Sequence, residues 1–92
     1  MVGGHRKNTQ VSLIIKKAID LYLAKNFDIF GYCYVEAITI SEDGRKATAL
    51  IRFEKDDDRE IAIDRAEVNK SIQQMVRLRY YPKIEFVKIS NA

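Results

Sequence analysis

The sequence predicts an α+β fold of α-β-β-α-β order, a three-stranded sheet with both helices packed on one face. Three observations carry that reading. Apolar residues recur at helical spacing over residues 9–25 and again over 58–78. Between them, two runs rich in β-branched and aromatic residues flank Asp43-Gly44, the dipeptide that closes tight hairpins by supplying positive φ cheaply. A third alternating run follows Pro82. The 92 residues are one domain's worth of chain, and a domain this small buries roughly 60–65% of its unfolded surface, enough for one core.

Residues 1–8 are glycine-rich and polar, so a flexible N-terminal tail is expected there, with a single domain over 9–92. Asn8 or Thr9 can cap the first helix by accepting from unpaired amides of its first turn. Val11, Ile14, Ile15, Ala18, Ile19 and Tyr22 then form one apolar stripe, opposite Gln10, Ser12, Lys16, Lys17 and Asp20. Asn26 ends the helix, and residues 28–31 form a loop. Residues 32–40 are the first strand and 46–53 the second, joined by a turn at Ser41 to Arg45. In the second strand Ala47, Ala49, Ile51 and Phe53 share one face, while Lys46, Thr48 and Arg52 share the other.

The acidic run from Glu54 to Glu60 leads into the second helix. Carboxylates suit the positive end of a helix dipole, and Asp57 or Asp58 is the expected cap. Ile61, Val68, Ile72 and Met75 make its stripe, with Val76 beside it; Ile63 falls out of phase, which predicts a kink or shift between 62 and 68. Tyr80-Tyr81-Pro82 ends the helix, because residues before proline avoid helical angles. Residues 83–89 alternate around Ile84 and Phe86 as the third strand. A strand, a helix and another strand of the same sheet make a right-handed crossover. With only three strands, both helices cover the sheet's apolar face, and the other face, or a helix exterior, is left for a partner.

Few functional classes survive this inventory. No apolar run approaches the ~20 residues of a membrane span, and the N-terminus has no apolar segment of a secretory signal. The single histidine, His5, lies in the expected tail, where nothing orients it for acid–base work. Cys33, the one cysteine, lies in a strand as a small hydrophobe, and one thiol fits a reducing cytoplasm. There is no metal-ligand spacing, phosphate-binding glycine loop or nucleophile elbow, so no catalysis, cofactor, metal or small-molecule substrate is expected. The carboxylates at 54–60 are helix-start chemistry and lack the spacing of a calcium loop.

Charge is the informative property. Residues 1–27 carry five basic and one acidic side chain, 54–67 carry three and seven, and 68–92 carry five and one, although the net charge is only +3. Two positive ends around a negative middle suit a polyanionic partner. The most distinctive segment is Arg77-Leu78-Arg79-Tyr80-Tyr81-Pro82-Lys83-Ile84-Glu85-Phe86, where paired arginines precede a proline and a strand.

That segment, with the hairpin VEAITISEDGRKATALIRF, resembles ribosome-binding factor A over roughly residues 9–90. The resemblance implies a KH-like type II domain that matures the small ribosomal subunit in the cytoplasm by binding its RNA, as a monomer. The family's Ala-x-Gly helix kink has no glycine here, where the matching stretch is Asp64-Arg65-Ala66, and no G-x-x-G loop is present to clamp single strands. The expected RNA-binding residues are Arg6, Lys7, Lys16, Lys17, Lys70, Arg77, Arg79 and Lys83. A competing expectation is a protein-interaction adaptor that uses the hairpin edge or the acidic 54–60 loop.

Overall fold

The computed structural model describes residues 2–54 and 62–89, with side chains from Gln10 onward. The elements are α1 (Val2–Lys25), a one-turn α2 (Phe27–Phe30), β1 (Cys33–Ile40), β2 (Lys46–Phe53), α3 (Arg65–Met75) and β3 (Lys83–Ile89). The α-β-β-α-β order is as the sequence predicts, with α2 as an addition. It takes up most of the predicted loop at 28–31 and is closed by Gly31 N–H donating to Phe27 O at 2.7 Å. Gly31 sits at φ +69°, the left-handed region that favours glycine.

Three helix boundaries differ from expectation. The backbone of α1 is helical from Val2, where a flexible tail through residue 8 is predicted; each residue added to a helix already nucleated gains a bond, which offsets poor local propensity. The second helix starts only at Arg65 and stops at Met75, not at 58 and 78. Its cap is Asp64, whose carboxylate accepts from the amides of Ala66 and Glu67 at 3.0 and 3.3 Å. The alternative caps Asp57 and Asp58 lie outside the described residues. Ile63 breaks the helical phase because it precedes the helix, so no kink is required between 62 and 68. Met75, expected on the buried stripe, is an exposed last residue, and Val76 packs on the core from an extended backbone at φ −147°, ψ 141°.

The sheet runs in the order β1-β2-β3, β1 antiparallel and β3 parallel to β2. Its helix-facing side buries Val35, Ala47, Ala49, Ile51, Phe53 and Ile84 against Val11, Ile15, Ala18, Ile19 and Leu23 of α1 and Val68 and Ile72 of α3. A bulge between Val35 and Ala37 shifts the β1–β2 register by one residue. It keeps Val35 on the core side while Ile38 and Ile40 pack against the same core from beyond it. Opposite them, Lys46, Thr48, Leu50 and Arg52 line the uncovered face.

The two long helices are antiparallel and tied at one end. Tyr22 Oη accepts from the Asp64 amide at 3.1 Å, and Lys25 pairs with Glu67 at 3.6 Å. Asp20 anchors α1 to the sheet by accepting from the Val35 amide at 3.0 Å.

Candidate nucleic-acid interface

The segment from Val76 to Pro82 belongs to no helix or strand: it leaves α3 extended at Val76 and bends at Arg79 and Tyr80. Val76 and Leu78 pack on the core, so Arg77 and Arg79 alternate outward and are exposed. The sequence pattern puts this pair in the last turn of a helix, where cations suit the dipole; the last turn of α3 holds no basic residue. Both arginines are thus left available to a partner. Tyr81 holds the segment in shape: its hydroxyl donates to Val76 O at 2.9 Å and accepts from the Leu78 amide at 3.3 Å. Tyr81 is therefore structural, whereas Tyr80 is 75% exposed.

Pro82 is buried, and Lys83 opens β3 with its amide donating to Arg45 O at 2.8 Å. The parallel register sets Lys83 directly beside Lys46. Two like charges side by side on neighbouring strands repel, and both are exposed to solvent. Arg45 and Lys46 therefore join the cationic group although the sequence pattern does not single them out. Their partner is set by pairing of Lys46 in β2 with Lys83 in β3, far apart in the chain, which no local pattern reveals.

Arg79 and Tyr80 share a cleft of about 250 Å³ with Val11 of α1, Ile40 of β1 and Glu42, Asp43 and Gly44 of the hairpin turn. One end of the molecule thus gathers the N-terminal half of α1, the β1–β2 turn and the Arg77–Lys83 segment. The turn is firmly made. Ser41 Oγ donates to Asp43 Oδ1 at 2.7 Å, and the Arg45 amide donates to the same oxygen at 3.0 Å. These bonds hold the Asp43 carboxyl below its ordinary value. Glu42 and Asp43 are both exposed at the cleft, and Asp43 alone is engaged by these bonds within the turn.

The other predicted residues are placed as follows. Arg6 and Lys7 stand on the α1 backbone about one turn before Val11, with side chains outside those described. Lys16 pairs with Asp20, four residues on, at 2.7 Å, which partly occupies it. Lys17 and Lys70 are exposed on α1 and α3, with no ion pair among the described residues, and they do not line the cleft. The acidic run beyond Glu54 lies outside the described residues. Among the described residues no group of His, Cys, Asp and Glu could hold a metal ion, and no helix is long and apolar enough to cross a membrane. Burial, with the Asp20 carboxylate nearby, pushes the Cys33 thiol above its ordinary value, the opposite of nucleophile activation.

No family model matches the chain. No curated protein sequence matches it either. Among solved structures it is similar to the crystal structure of ribosome-binding factor A from Thermus thermophilus, with a TM-score of 0.64 over 87% of this chain and 93% of that one. The chain has the fold of ribosome-binding factor A. The likeness holds at 16% identity, so it is carried by backbone arrangement rather than by shared side chains. The Asp64-Arg65-Ala66 stretch forms the cap and first turn of α3.

Proposed function

We propose that this chain binds small-subunit ribosomal RNA as a maturation factor of that subunit, acting as a cytoplasmic monomer and catalysing nothing itself. The supporting observation is the match in fold, nearly end to end, with a protein named for binding the ribosome. Fold alone does not fix function, so the side chains must supply the chemistry. Arg77 and Arg79 offer planar forks that grip phosphate oxygens in pairs, while Lys46 and Lys83 act as adjacent point charges. Arg6, Lys7, Lys16, Lys17 and Lys70 extend the contact along the helices, and Tyr80 stacks on an unpaired base. Such a surface reads the shape of a folded RNA more than its sequence.

Two measurements test this. Tagged protein in a cell lysate co-sediments with free small subunits and not with translating ribosomes; sedimentation at the top of the gradient would sink the proposal. Engagement of about five phosphates gives a log–log salt slope of roughly −3.5 to −4.5 with purified RNA. Replacing Arg77 and Arg79 together by alanine makes that slope less steep by roughly 1.5–2 and weakens binding about equally across RNA sequences. A slope near zero for the unaltered protein would remove the electrostatic mechanism.

A further inference from the structure

We infer that the α2 end of the molecule is a second docking surface, which takes a basic protein segment with an apolar anchor. Phe27, Ile29 and Tyr32 are 47%, 57% and 70% exposed, although they are large and apolar or aromatic. The one-turn α2 buries none of its residues fully, so packing does not account for the concentration of such side chains there. Two of the rings are already assembled. Phe27 and Tyr32 meet edge to face, centroids 4.8 Å apart and planes at 77°. The positive φ of Gly31 turns the chain between them. A rigid, exposed aromatic pair loses little freedom on binding, which is the property of an interface anchor.

Charge identifies the occupant. From residue 26 to residue 44 the sequence contains no lysine or arginine. Asp28 lies between Phe27 and Ile29, and the Glu54 amide donates to Tyr32 O at 2.9 Å, which sets a second exposed acid beside the patch. The nearest cation in sequence, Lys25, is paired with Glu67. An apolar patch rimmed by carboxylates repels RNA and suits a basic protein. It also lies at the far end of β1 from the cationic cleft. That strand's eight residues span roughly 25 Å. A chain held on RNA by its cationic end would turn this patch towards protein of the same particle.

The inference rests on the RNA-binding reading, and the experiment separates the two. Affinity is measured for the full chain against intact small ribosomal subunits and against protein-free small-subunit RNA. Ile29→Ser with Tyr32→Ser, both at exposed positions, weakens binding to intact subunits by roughly tenfold or more and leaves binding to the bare RNA unchanged. Asp28→Lys with Glu54→Lys also weakens subunit binding, while tightening binding to bare RNA. Equal effects of a variant on both targets, or none on subunits, would overturn this inference alone. An unaltered chain that binds neither target defeats the RNA reading and this one with it. A dimer at sedimentation equilibrium that Ile29→Ser disperses would give the patch to a second copy instead, and would likewise overturn the inference.

Discussion

Tyr81 illustrates how much one hydroxyl does in the Arg77–Lys83 segment. It satisfies both a carbonyl and an amide that the end of α3 leaves open. Tyr81→Phe keeps the ring and removes both bonds, so urea denaturation should show a loss of about 1 kcal/mol. RNA affinity should fall as well, because the arginines lose their fixed presentation; unchanged affinity would show that the segment's shape is immaterial. Cys33 gives a prediction with a definite sign. Its thiol ionises near 9.0 when free, and burial raises that value in the fold. Below pH 9 both states are neutral and nothing is lost. As pH climbs from there towards the folded value, the unfolded chain sheds its proton first and stability falls. Cys33→Ala should flatten that alkaline decline in thermal melts. At this scale the candidate site is half legible in the sequence. Arg77, Arg79 and Lys83 stand out in a short motif, whereas Arg45 and Lys46 follow a turn and gain meaning only from the strand beside them.

Among the elements, the strands are the easiest to read. Apolar alternation and Asp43-Gly44 set β2, and Pro82 sets the start of β3. Helix ends are harder. The acidic stretch before Asp64 offers several carboxylates able to cap, and only packing of Val68 and Ile72 against α1 selects one. The bulge in β1 leaves a trace in the sequence, since apolar residues fall at 33 and 35 and then at 38 and 40. That shift of phase yields an unusual prediction. Glu36 lies at the register shift, and its exposed side chain makes a two-pronged pair with Arg52, at 2.8 and 3.1 Å. Deleting Glu36 should restore a regular ladder with every core residue still facing inward, at the loss of only an exposed ion pair. Deleting Thr39 instead moves Ile40 to the wrong face. Circular dichroism melts should show the first protein folded and the second severely destabilised; similar melts for both would mean that the shift is not a simple insertion.

Across the whole molecule, the linear charge blocks prove a partial guide. The Arg77–Lys83 segment does come to the N-terminal half of α1, through the cleft that Val11 shares with Arg79. Lys17 and Lys70 stay outside that cleft, and Lys16 is engaged by Asp20, so among the described cations only those of the Arg77–Lys83 segment, with Arg45 and Lys46, gather at this pole. A crossover from β2 through a helix to β3 is foreseeable, while the sheet order and the side-by-side placement of Lys46 and Lys83 are not. That placement couples folding to occupancy. Without a counter-anion the two ammonium groups oppose the pairing that completes the sheet, and a polyanion lying across them reverses the effect. Heparin or polyphosphate should therefore raise the melting temperature, by the equivalent of about 2.7 kcal/mol at a hundredfold excess over its dissociation constant. Lys46→Gln should melt higher than the parent when bare and gain less from heparin, so that a heat ramp alone reports whether this pole is filled.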